Sequence, residues 1–282
     1  MANLAKKESP VVVVTGCSSG IGKELARALI SNGYKVFGTI RSLRDSSILE
    51  EEFGCGFEPL IMDVTNESQV TKAKNKVEEY LSGKKLCALV NNAGIATLGP
   101  VEHMPTSDFL AQINTKVFGT FLCTKSFLPL LGTNRQLNGP PGRIINISSI
   151  LGGKIGSPFM SAYCTSKHAV EAFSESLRRE LKIFGIKVII VAPGSISTPI
   201  WEALKTHSKN EETSGTEYHV PFKKVLSSLQ SFDNNSLPIE KLSNIIIESI
   251  ETKKPKIRYT PTNDYLQKIW PFVPKSLMDK FF

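Results

Sequence analysis

An α/β fold is predicted: one doubly wound parallel sheet with helices on both faces, followed by a C-terminal lid and tail. Three observations carry this. Short apolar runs rich in Val and Ile alternate with longer helix-spaced segments as far as Gly194. The runs are continuous rather than alternating, the pattern of strands buried on both faces. A glycine-rich turn joins the first run to the first helix.

The elements follow in order. Residues 11–15 are a β-branched run and read as a buried strand, and 20–31 read as a helix ending near Gly33. Strands at 35–40 and 56–62 precede a charged helix at 66–81 and a strand at 86–90. A long helix at 107–131, with Pro129 near its end, leads to a strand at 143–147. A second long helix, 161–184, leads to a strand at 187–192. Such βαβ units are right-handed and place a ligand at the carboxyl ends of the strands. The pattern then loosens. Segment 195–236 is polar with scattered large residues, and an insertion of that length is more often a functional lid than a structural necessity. A helix at 242–250, an edge strand at 256–259 and an aromatic tail at 260–282 complete one domain spanning 1–282.

Composition removes several classes of function. At 282 residues, 41% hydrophobic and 21% charged, the chain can bury a core without disulfides or metals. No apolar run reaches the roughly 18 residues of a membrane-spanning helix, and the first ten residues do not read as a secretory signal. The five cysteines are scattered without CxxC spacing, which points to free thiols in the cytoplasm. The four histidines form no ligand pair, so no metal site is expected. The net charge of +8 peaks at Lys253, Lys254, Lys256 and Arg258, a cluster too short to imply a nucleic-acid partner.

Three constellations carry chemistry. The first is Thr15-Gly16-Cys17-Ser18-Ser19-Gly20-Ile21-Gly22, between strand and helix. Glycines there let the backbone approach a pyrophosphate, and the helix N-terminus offers free N–H groups. The spacing is GxxxGxG rather than GxGxxG, and a plain turn is the alternative. The second is Arg41, after the second strand. An acid there would hold the ribose 2′-hydroxyl of NAD, whereas a guanidinium suits a 2′-phosphate. With Ser19 as a second donor, this predicts NADP(H), with NAD(H) the alternative if Arg41 faces solvent. The third is Tyr163 and Lys167, four apart and so on one helix face. A phenol needs its ordinary pKa near 10 lowered to serve as a base, and a nearby ammonium can do that.

In this order and context the motifs resemble the short-chain dehydrogenase/reductase family, whose Rossmann-like sheet fits the predicted fold. The resemblance spans 11–199 and adds Asp63-Val64, Asn91-Asn92-Ala93-Gly94, Asn114, Ser148-Ser149 and Pro193-Gly194. It implies that Asp63 and Val64 hold the adenine, and that Asn91, Ala93 and Gly94 line its ribose. Tyr163 would be the general acid/base, and Lys167 would bind the nicotinamide ribose and lower the Tyr163 pKa. Asn114 would hold a relay water, and Ile196 and Thr198, beyond Pro193 and Gly194, would contact the carboxamide. Each has a local alternative: Asp63 as a cap, Asn114 or the serines as turn-formers. Ser149 stands 14 residues before Tyr163, slightly more than the family's usual interval, so a bulge is expected after the strand and Ser149 is preferred to Ser148 as the serine that polarises the carbonyl.

The implied reaction is hydride transfer between NADPH and a carbonyl, or its reverse. The glycine loop, Arg41 and Tyr163-Cys164 resemble the 17-beta-hydroxysteroid and retinol dehydrogenase branch. Phe159, Ile200, Trp201, Leu204, Phe222 and Phe232 would line an apolar pocket for a lipophilic ketone, aldehyde or alcohol. A homodimer or homotetramer through the two long helices is expected, and a peripheral membrane contact through the tail is the further expectation. A non-catalytic NADPH sensor or scaffold and an epimerase or dehydratase are the competing classes.

Overall fold

The computed structural model describes residues 9–197, 213–233, 236–264, 269 and 273–279. The sheet has seven parallel strands: β1 (Val11–Val14), β2 (Lys35–Ile40), β3 (Phe57–Ile61), β4 (Ala88–Asn91), β5 (Arg143–Ile147), β6 (Lys187–Val191) and β7 (Arg258–Tyr259). Their order is β3-β2-β1-β4-β5-β6-β7, all in parallel register. The order reverses between β1 and β4, which opens a crevice at their carboxyl ends.

The unbroken valines of β1 are explained by two cores. Val12 and Val14 pack one way, with Leu25 and Leu29 of α1 (Gly20–Ser31) and Ile246 and Ile250 of α8 (Ile239–Glu251). Val11 and Val13 pack the other way, with Val70 and Val77 of α3 (Glu67–Leu81), Phe127 of α5 (Gly119–Leu128) and Leu177 of α6 (Ser161–Glu180). Successive side chains of a strand point to opposite faces, so a strand covered on both sides has no polar position to spare.

Several sequence expectations change. A helix α2 (Leu43–Phe53) fills the β2–β3 connection. The expected helix at 107–131 is divided: α4 (Thr106–Ile113), a wider π turn at Asn114–Phe118, then α5 and a second π turn at Pro129–Thr133. No bulge follows β5. A 3₁₀ turn, Ile150–Gly152, takes up the extra residue instead. The lid region contains a helix, α7 (His219–Asp233). The edge strand is present but only two residues long.

Candidate active site

The glycine loop is fixed by its neighbours on either side. Thr39 of β2 accepts from the Gly16 N–H through its hydroxyl at 2.9 Å, and from the Cys17 N–H through its carbonyl at 2.8 Å. Asn92 donates to the carbonyls of Thr15 and Gly16 at 2.9 and 3.0 Å. Two glycines are required by space. A Cβ on Gly22 would lie 2.0 Å from the Gly16 carbonyl, and one on Gly16, at φ +73°, would lie 2.9 Å from the Ala93 Cα. Ser19 precedes α1 but provides no side-chain cap, so the first-turn N–H groups of the helix, including those of Ile21 and Gly22, stay available to an anion. Ser18, Ser19 and Arg41 are exposed around this opening, and Arg41 directly follows β2. The loop, the open helix terminus and the adjacent guanidinium fit a dinucleotide carrying a 2′-phosphate.

Asp63 follows β3 and forms a turn: its Oδ1 accepts from the Thr65 N–H at 2.8 Å and the Thr65 hydroxyl at 2.7 Å. Val64 is buried beside it. Asn91 ties the sheet together. Its Nδ2 donates to Asn146 Oδ1 at 2.8 Å and Thr124 Oγ1 at 3.1 Å, and its own Oδ1 is buried without a partner. The Ala93 N–H donates to the Thr15 hydroxyl at 3.0 Å, which holds the 93–94 turn against the glycine loop. Pro193 and Gly194 continue β6: the Pro193 carbonyl accepts from Ile150 N at 3.0 Å, and Gly194 N donates to Pro261 at 2.9 Å. Ile196 is buried and bridges to Leu237. Thr198, Ile200, Trp201 and Leu204 lie outside the described residues.

Tyr163 and Lys167 share one face of α6 at the carboxyl end of β5. Lys167 is 8% exposed, and its Nζ donates to the Ile147 carbonyl at 2.7 Å, 5.9 Å from the Tyr163 ring centre. Burial brings its amine down to about 8, with Glu171 pulling the other way. Burial also pushes the Tyr163 phenol up, and the hydrogen bond from Ser149 only partly draws it back. The expected lowering of the phenol by Lys167 is therefore not present in the chain by itself. The two serines are separated by their partners. Ser148 donates to Glu171 at 2.8 Å, and Glu171 is held through both oxygens by Arg258 of β7 at 3.0 and 3.1 Å. Ser149 is left to face Tyr163 while accepting from Leu151 N at 3.2 Å.

Asn114 was expected to hold a relay water. It is exposed at the start of the π turn. The side chain of that turn which reaches Tyr163 belongs to Lys116, whose Nζ lies 4.0 Å from the ring centre. A lysine is commonly a surface residue, and its position between apolar Ile113 and Val117 was the available signal.

The apolar side is built by α7. Phe222 is 1% exposed and packs edge-on to Phe159 at 5.2 Å, within a cluster of Leu98, Met160, Cys164 and Tyr163. Phe159 holds a left-handed backbone at φ +62°, and its carbonyl accepts from Gly99 N at 2.9 Å. Among the described residues no group of His, Cys, Asp and Glu could hold a metal ion.

Residues 10–209 match the family described as short chain dehydrogenase. An NADPH-dependent 3-dehydrocapnine reductase of Ornithobacterium rhinotracheale is 35% identical over 272 residues, 96% of this chain and 95% of its own. Retinol dehydrogenase 16 of Mus musculus is 34% identical over 282 residues, 95% of this chain and 86% of its own. The solved structure of ElxO with NADP bound superposes with a TM-score of 0.73 at 28% identity, covering 92% of this chain and 99% of that one.

Proposed function

The chain belongs to the short-chain dehydrogenase/reductase family, an oxidoreductase family acting on CH–OH groups, and on that premise we propose that it reduces a lipophilic ketone or aldehyde with NADPH. The observation that supports this most is Tyr163, facing Ser149, with Lys167 one turn along the same helix. The reduced nicotinamide, when bound, supplies the hydride to the carbonyl carbon. Ser149 orients the carbonyl oxygen, and Tyr163 donates its phenolic proton to that oxygen. Lys167 is placed to hold the ribose hydroxyls and to offset the phenolate charge that remains. Solvent then returns a proton to Tyr163. Phe159 and Phe222 favour an apolar substrate body, and a retinol dehydrogenase is among the relatives. Among the described residues no helix is long and apolar enough to cross a membrane.

Cofactor choice follows from Arg41, and a fluorescence titration checks it. NADPH should bind more tightly than NADH, and Arg41→Ala should erase a preference of roughly tenfold to a hundredfold, the loss of a charge-assisted phosphate contact. Equal NADH binding by the wild type would move the reading to NAD-dependent alcohol oxidation. Failure of both cofactors to bind would defeat the dehydrogenase reading.

A further inference from the structure

Lys116 is the buried cation that the mechanism above does not use. Among the described residues only Lys116 and Lys167 are buried lysines, at 3% and 8% exposed. The Lys116 Nζ donates to Gln112 Oε1 at 3.1 Å and rests on the face of Tyr163. Gln112 is itself fully buried and is anchored by donation to the Thr97 carbonyl at 3.1 Å. Cε of the lysine lies 3.4 Å from where a Cβ on Gly94 would sit, so the stem has a fitted channel.

An ammonium has three N–H donors, and only one has an acceptor here. No described carboxylate is paired with it. Glu171, the acid beside Ser148 and Lys167, is taken by Arg258 and Ser148. A buried charge without a counterion is costly, and burial together with the charge of Lys167 accordingly holds the Lys116 amine well below its ordinary value. The cofactor does not supply the missing anion. Its phosphates belong to the glycine loop and Arg41, at the start of α1 and the end of β2, whereas Lys116 sits between α4 and α5.

We infer that Lys116 binds an acidic group carried by the substrate close to the reacting carbonyl, so the substrate is an apolar chain with an acidic keto head rather than a plain ketone. The inference rests on the carbonyl-reductase reading. Lys116 rests on the Tyr163 ring, and Tyr163 also packs against the Leu98–Phe159–Phe222 cluster, so one tyrosine adjoins both a cation and an apolar wall, one for each end of such a molecule.

The test uses a long-chain 2-oxoalkane-1-sulfonate, which cannot decarboxylate, against the methyl ketone of equal chain length. With NADPH, the wild type should favour the sulfonate in kcat/KM by roughly 100-fold, as for a desolvated charge pair. Lys116→Met should bring the sulfonate-to-ketone ratio of kcat/KM near one, whatever its effect on turnover of either substrate alone, and Lys116→Arg should retain part of the preference. No preference in the wild type, or an undiminished preference in Lys116→Met, overturns the assignment. Calorimetric titration with a saturated alkane-1-sulfonate, on the protein alone and with NADP+, decides the matter without turnover. Binding that Lys116→Met or Lys116→Gln abolishes supports the site, and no binding by the wild type removes it. Failure to bind NADPH in the same preparation would count against the reductase reading, separately from the sulfonate result.

Discussion

The Tyr163 phenol is desolvated, and in the proposed reaction it must exchange a proton, so its neighbours decide whether it can. Tyr163→Phe keeps the ring and its packing but removes the donor. Turnover should fall by about 10²- to 10⁴-fold while NADPH fluorescence titration is unchanged, which separates chemistry from binding. A second residue-scale consequence concerns Cys123, fully buried on α5, whose thiol burial pushes up to about 12. The unfolded thiol ionises near 8.5. Between those values the unfolded chain has released a proton that the folded chain retains, so this group's contribution to stability is lost as pH rises. Urea unfolding at pH 8 and pH 10 should show the wild type losing stability relative to Cys123→Ala. Legibility also differed residue by residue. The shared helix face of Tyr163 and Lys167 and the turn at the glycine loop were readable because both placements depend on local spacing. Lys116 was not, because its significance comes from facing Tyr163, some 47 positions away, across a turn whose phase the sequence does not mark.

At the scale of elements, the π turn at Asn114–Phe118 shows where periodicity stops being a guide. A turn with one more residue than an α-helix rotates everything beyond it, so a face assigned by 3.6-residue spacing is displaced. The π turn is why 3.6-residue spacing gives no warning that Lys116 turns toward Tyr163. Helix α2 was missed for another reason. It buries only Ser46 and Leu49, while Leu43 is 75% exposed, so it has no apolar stripe to detect. Helix α7 did leave a trace, since Phe222, Leu226 and Leu229 are spaced three and four apart, but the polar segment before it obscured the pattern. The β1–α1 turn was fully legible, and it yields a firm expectation. Gly22→Ala places a methyl group against the Gly16 carbonyl. It should weaken NADPH binding strongly and lower stability by about 1–3 kcal/mol, measured by titration and urea unfolding.

For the whole molecule, parallel order and the crevice between β1 and β4 were readable because continuous apolar strands can only be covered on both faces. The assembly is a further matter of surface. Phe118 and Phe121 stack at 6.4 Å, 44% and 43% exposed, and Phe121 also meets Phe173 of α6 edge-on. An aromatic patch on these helices supports the expected homodimer or homotetramer. Light scattering should give two or four chains at assay concentration, and Phe121→Asp should shift the population toward the monomer. A different consequence follows from Arg258 on the short last strand. Its guanidinium grips Glu171 through both oxygens, adds Thr260 at 2.6 Å, and lies 3.5 Å from the Ser149 carbonyl. In the proposed mechanism the part of the chain before β7 would therefore lack a support of its own serines. A proteolytic cut just before β7 would spare every glycine of the loop, yet release Glu171 to compete for Lys167 and slacken the serine beside Tyr163. Such a clipped protein would still retain dinucleotide while having lost its chemistry.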